Sequence, residues 1–228
     1  MSESARVVIL GGHGKIALLA APKLKAAGFT VDSVIRNPEQ SADIEAAEAN
    51  PVVLDIETAD TQALADLFAG AQAVVFSAGA GGGNPDRTRA VDLEAAKRSV
   101  DAAGQAGVKR FVMVSYASAS VDRDRVDPES SFYPYVEAKS GADDHLRGSD
   151  LDFTILGPGG LTLEPSSGKV LIADAAGDLE GERPADEVRV TSRELVADVI
   201  THVIAESAAV RETVNFYDGQ TPIAEAIS

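Results

Sequence analysis

Tyr135-Val-Glu-Ala-Lys139 places a phenol and an ammonium four residues apart, on one face of any helix that carries them. An ammonium beside a phenol favours the phenolate, and the expectation is a lowered tyrosine pKa and a usable general acid or base. A second chemistry lies at the other end of the chain. In Arg6-Val-Val-Ile-Leu-Gly-Gly-His-Gly-Lys-Ile-Ala17 an apolar run meets a loop made of Gly11, Gly12, His13, Gly14, Lys15 and Ile16. Two registers fit a dinucleotide fingerprint, Gly12-x-Gly14-x-x-Ala17 and Gly11-x-x-Gly14-x-x-Ala17, with alanine at the final helix-packing position. Glycines there permit a tight turn and close backbone approach to a phosphate, while the helix that follows aims its N–H groups at it.

Positioning these groups requires a strand before the loop and a helix after it, and the chain continues in that alternation. Strands are expected at 7–10, 29–35, 51–54, 73–76, 110–114 and 151–156, with helices at 17–27, 39–49, 58–69, 87–106 and 135–147. That pattern predicts an α/β fold, a Rossmann-type doubly wound parallel sheet, with ligands at the carboxyl ends of the strands. The Tyr135–Lys139 helix follows the fifth strand on that side. Residues 1–157 are expected to form the cofactor-binding core of one domain spanning 1–228. Residues 158–228 are expected to form a small C-terminal part on the substrate side. Pro158-Gly159-Gly160 reads as a turn, 161–187 as a loop or short hairpin over the site, and Thr191-x-x-Glu194 as a capping box for a helix to about 206. A last strand is expected at 213–217.

Arg36 ends the second strand, where an arginine accommodates the 2′-phosphate of NADP and an acid accepts from the 2′-hydroxyl of NAD. Asp32 is the competing acid but falls mid-strand, so NADP(H) is favoured over NAD(H). Asp55, at the end of the third strand, reads equally as an adenine contact or a turn residue. Ser77, Ala78 and Gly79 open the run to Gly83, and their small side chains let backbone approach a cofactor. His13 and Lys15 are read as phosphate contacts or as solvated loop residues. His145, about 80° from Tyr135 around a helix, and His202 are expected outside the site.

The glycine loop, Ser77-Ala-Gly79, Tyr135-x-x-x-Lys139 and Pro158-Gly-Gly160 together resemble the short-chain dehydrogenase/reductase superfamily. More closely they resemble its atypical NAD(P)H-binding, epimerase/dehydratase-like members, over nearly the whole chain. The resemblance implies an NADP site, Tyr135 as acid/base, and Lys139 on the nicotinamide ribose. It also implies a hydroxyl after strand five that polarises the substrate oxygen, a role for which Ser115 is preferred to Ser118. Asp92 stands where the superfamily has an active-site asparagine; otherwise it caps or decorates its helix. Gly157 stands where these relatives often carry arginine.

The implied function is an NADP(H)-dependent oxidoreductase acting on a small carbonyl or alcohol. The alternatives are a non-catalytic NADP-binding redox sensor and a flavin- or biliverdin-reductase-like enzyme. A net charge of −16 over 228 residues lacks the basic footprint of a nucleic-acid binder and is repelled by acidic membranes. Without cysteine, and with three histidines, neither thiol catalysis nor a dedicated zinc site is expected. No apolar run of membrane length and no signal-peptide core are read in the sequence, so the expected setting is cytoplasmic, as a monomer or homodimer.

Overall fold

In the computed structural model, which describes residues 5–81 and 84–228, the apolar run beside the glycine loop becomes β1 (Arg6–Leu10). Met1–Ser4 and the last two glycines of the run to Gly83 lie outside the described residues. In chain order α1 (Lys15–Ala26), β2 (Thr30–Ile35), α2 (Ser41–Ala46), β3 (Asn50–Val53), α3 (Thr61–Phe68) and β4 (Ala73–Phe76) follow. Next come α4 (Pro85–Thr88), a π-helical segment (Arg89–Ala95) and α5 (Ala96–Gln105), then β5 (Arg110–Val114), α6 (Ala119–Arg125), α7 (Tyr133–Arg147) and β6 (Asp152–Pro158). The chain closes with β7 (Gly160–Thr162), β8 (Lys169–Ala173), β9 (Val190–Ser192), α8 (Arg193–Ala205), β10 (Glu212–Asp218), β11 (Thr221–Pro222) and α9 (Ile223–Ala226).

Nine strands form one sheet in the order β11-β8-β10-β6-β5-β4-β1-β2-β3. Seven of them, from β10 to β3, are parallel. β8 joins antiparallel to β10, and the short β11 closes that edge antiparallel to β8. The parallel strands are covered on both faces, which is why they read as continuous apolar runs rather than alternating ones. Along β1, Val7 and Ile9 enter the core under α1 and α8, while Val8 and Leu10 enter the core under α3, α5 and α7. All four are fully buried, each contributing about 1.5–3 kcal/mol of apolar burial. No helix among the described residues is long and apolar enough to cross a membrane.

The structure corrects several expected boundaries. β3 ends at Val53, so Asp55 lies beyond the strand, its carboxylate accepting from the Glu57 N–H at 3.0 Å. The expected 87–106 helix is divided by the π segment. Pro158-Gly-Gly160 is not a free turn: Pro158 ends β6 and Gly160 begins β7. The 161–187 stretch is not a separate hairpin, because its apolar run, Val170–Ala173, pairs into the main sheet and buries Val170. The cap of α8 is Ser192, whose Oγ accepts from Leu195 N at 3.0 Å. Thr191 instead accepts from Gly159 N–H and donates to the Phe216 carbonyl, stitching β9 to its neighbours.

Candidate active site

The strand order reverses between β1 and β4, and the glycine loop sits there. Gly11 has a φ of +78°, and a Cβ on it would stand 2.6 Å from the Ala78 Cα. A Cβ on Gly12 would stand 2.7 Å from the Ser33 Cβ. Both candidates for the first glycine of the fingerprint are therefore required by packing, against the segment after β4 and against β2 respectively. Gly14 is the N-cap of α1, which has neither a capping side chain nor an acid in its first turn. The uncapped N–H groups and the positive helix end fit a pyrophosphate.

A cleft of about 380 Å³ opens beside this loop, lined by Gly11, His13 and Gly14, by Arg36, Asp55, Glu57 and Arg87, and by Ser77, Ala78 and Gly79. The Arg36 side chain is 59% exposed; its guanidinium lies 3.3 Å from Glu57 Oε2, and Arg87 Nε lies 3.6 Å from the same oxygen. Asp32, the competing acid, pairs with Arg6 at 2.8 Å and accepts from Asn50 at 3.0 Å. It stands opposite Val8 and does not line the cleft. His13 Nε2 is 2.7 Å from Asp43 Oδ2. Lys15 is exposed and lines neither this cleft nor its neighbour, whereas Ile16 is buried and faces the neighbouring one.

That neighbour, of about 640 Å³, shares Ser77–Gly79 as a wall and gathers Asp92 from the π segment, Ser115 after β5, and Tyr135 and Lys139 from α7. Lys139 is 2% exposed and donates Nζ to the Val114 carbonyl at 2.6 Å. Asp92 Oδ2 accepts from Ala80 N–H at 3.0 Å; burial raises its pKa, with Lys139 opposing. Ser115 donates Oγ to Asp143 Oδ2 at 2.5 Å, and the other Asp143 oxygen has no hydrogen-bond partner among the described residues. Burial pushes the Asp143 carboxyl up to about 6, against the pull of Lys139 and Ser115.

The expected lowering of the Tyr135 pKa is overturned. Burial raises it, and the Asp92 and Asp143 carboxylates raise it further. The Lys139 ammonium is engaged by a backbone carbonyl and sits among two buried acids, so it does not set the phenol's balance. The phenol is held protonated.

Ser118 adopts φ +69°, donates to Asp122 Oδ2 at 3.0 Å, and lines a third cavity of about 240 Å³ rather than the second. Pro158, Gly159 and Gly160 line this third space too and neither of the others. Phe132 and Tyr135 border both the second and third cavities. Their rings, with Tyr116, form a cluster with centroids 5.4 to 6.0 Å apart. His145 pairs with Asp101 and His202 with the Ile227 carbonyl; neither lines these cavities.

Three residues join the site that sequence reasoning passed over. Asp143 lies four residues after Lys139 and eight after Tyr135, a helical stripe that was visible as spacing. Glu57 and Arg87 left no such trace, because they meet Arg36 only through the fold.

The profile of a family described as NAD(P)H-binding matches residues 11–207. The chain is 34% identical over 224 residues to the uncharacterised sugar epimerase YhfK of Bacillus subtilis (strain 168), covering 97% of this chain and 98% of that one. It is 35% identical over 242 residues to a UPF0659 protein of Schizosaccharomyces pombe, covering 97% and 93%. A solved structure from Bacillus halodurans, described as a candidate NAD-dependent epimerase/dehydratase, superposes with a TM-score of 0.82 at 33% identity, covering 97% of this chain and 98% of that one. Uncapped helix, glycine crossing and sequence profile agree: the chain belongs to the NAD(P)H-binding family, with the epimerase/dehydratase-like character of the atypical short-chain dehydrogenases/reductases.

Proposed function

We propose that the protein is an NADP(H)-dependent oxidoreductase that interconverts a small carbonyl compound and its alcohol. The observation that carries this reading is the convergence of Tyr135, Lys139 and Ser115 in one cavity that shares a wall with the glycine-loop cleft. When bound, the cofactor supplies or accepts the hydride. Tyr135, kept protonated by burial, delivers the proton to the substrate oxygen. Lys139 holds the nicotinamide ribose, and Asp92 fixes the backbone at Ala80 beside it. Ser115 orients the substrate oxygen once its own hydrogen is released from Asp143. At the adenosine end Arg36, with Arg87 beside it, takes the 2′-phosphate, supported by Asp32 being engaged elsewhere.

Thermal-shift titration with NADPH, NADP, NADH and NAD tests the cofactor half; stabilisation by the phosphate-bearing pair is expected to be the larger. A carbonyl panel assayed with Tyr135→Phe tests the chemistry. Loss of the proton donor is expected to lower kcat about 10²- to 10⁴-fold while leaving cofactor affinity near wild type. Unchanged turnover would remove Tyr135 from the role. A second reading, a sensor that binds NADP(H) without turnover, draws on Ser115 giving its hydrogen to Asp143 rather than to the cavity. It predicts a thermal shift with no turnover on any carbonyl tested.

A further inference from the structure

The third cavity has a lining unlike the rest of the surface. Arg125 on α6, and Arg183 and Arg189 between β8 and β9, converge on it in a protein whose net charge is −16. Two acids, Asp122 and Asp178, share the lining; Arg125 pairs with Asp178 and Arg189 with Asp186 at the rim, so Arg183 is the guanidinium of the lining left without an ion pair among the described residues.

The acids leave the guanidinium donors largely unused. Asp122 is taken by Ser118 Oγ at 3.0 Å. Asp178 reaches Arg125 at 3.4 Å, long for a charge-assisted hydrogen bond. Arg189 pairs at 3.2 Å with Asp186, whose side chain is 92% exposed, and its Nε is buried without an acceptor. Arg183 makes no ion pair or side-chain hydrogen bond among the described residues. A buried guanidinium N–H with no acceptor is costly, and a bound anion satisfies it.

We propose that this cavity is the substrate's anion site and that the substrate of the oxidoreductase reading, on which this rests, is a short oxo acid or hydroxy acid. The planar fork of arginine matches a carboxylate with two parallel hydrogen bonds. The one unpaired guanidinium, Arg183, balances one carboxylate, whereas a phosphate of about −1.5 to −2 would leave negative charge uncompensated. At about 240 Å³ the space is smaller than the ~300–1,000 Å³ of ordinary ligand pockets, which limits the group to a few heavy atoms. Because Phe132 and Tyr135 border both cavities, a molecule spanning them has its carbonyl beside Tyr135 and its carboxylate among the arginines.

The test uses full-length protein with NADPH and matched pairs of short oxo acids and their methyl esters. The acids are expected to be preferred, and Arg189→Met is expected to lower the acid-to-ester ratio of kcat/KM by about tenfold or more. Arg183→Met, at an exposed position, gives the same direction should Arg189→Met fail to fold, with NADPH affinity as the folding control. Equal kcat/KM for acid and ester, or preference for a phosphorylated carbonyl compound, would overturn the proposal. A calorimetric arm titrates 2-oxobutyrate and, separately, inorganic phosphate into the NADP-loaded protein. Binding of 2-oxobutyrate that Arg189→Met abolishes, without turnover of any carbonyl, supports the anion site and sinks the oxidoreductase reading. Turnover of neutral carbonyls without 2-oxobutyrate binding does the reverse, and tighter binding of phosphate than of 2-oxobutyrate counts against a carboxylate.

Discussion

The glycine-loop cleft and the Tyr135 cavity share the strip Ser77–Gly79, yet they are built by opposite means. The cleft is backbone: glycines crossing β2 and the segment after β4 within contact distance, an uncapped helix end, and charged side chains kept at an exposed rim. The cavity is side chain: Lys139, Asp92, Asp143 and Ser115, all 5% exposed or less, bonded to one another or to backbone. The cleft therefore fails through sterics, the cavity through charge. A rim arginine can be exchanged at modest cost, whereas a buried acid changes the protonation of everything around it.

Gly11→Val should give the largest effect. A β-branched residue at φ +78° whose Cβ meets the Ala78 backbone is expected to lower unfolding stability by about 4 kcal/mol or prevent folding. Chemical denaturation without cofactor reads this. Gly14→Ala, at φ −65° but with its Cβ 3.0 Å from the Gly11 carbonyl oxygen, should cost clearly less than Gly11→Val; equal losses at the two positions would break the steric account.

Asp143→Asn probes the charge account. The carboxyl titrates near 6 in the fold against 3.8 for an ordinary aspartate, so the native state holds a proton the unfolded chain has released between those values. Stability is therefore lost as pH rises through that window, by an amount on the order of 3 kcal/mol. The asparagine variant lacks this titration and should gain on wild type by that amount between about pH 4 and about pH 7. A gap that does not change with pH would show that Asp143 is not buried as a titrating acid.

At the rim, Arg36→Ala is expected to weaken NADPH about tenfold while hardly changing NADH. Equal losses for both cofactors would remove the 2′-phosphate assignment. Smallest of all, Glu57→Gln should tighten NADPH about two- to fivefold by releasing Arg36 and Arg87 from an exposed ion pair. An effect as large as that at Asp143 would blur the distinction between the two compartments.

The two compartments also differ in how plainly the chain declares them. The alternation from β1 to β6 and the glycine loop were legible, because each depends on residues adjacent in sequence and on strands apolar on both faces. Tyr135 and Lys139 were legible as a helical stripe, and the same stripe extended to Asp143. What the stripe did not carry was the sign of the Tyr135 shift, which is set by burial of the phenol in the assembled fold, with Asp92 arriving from another helix to reinforce it. β8 was hidden for a similar reason. Its apolar run has no local partner, and its place in the sheet is set by β10, some forty residues later. The cap at Ser192 was misplaced by one residue because Thr191 satisfies the same local pattern but is drawn into bonds with Gly159 and Phe216.

The π segment at Arg89–Ala95 makes the helix that carries Asp92 sensitive to residue count. A wide turn of this kind shifts the phase of the helix relative to an uninterrupted α-helix. Upstream of it Thr88 is buried; within it Asp92 reaches Ala80; downstream Ser99 and Val100 face the core. Removing one of the residues between Asp92 and α5 would let the segment anneal to ordinary α-helix and turn Asp92 by about 100° relative to α5. The helix would survive that deletion, but its carboxylate would leave the cavity, so here the number of residues carries information in the same sense as residue type.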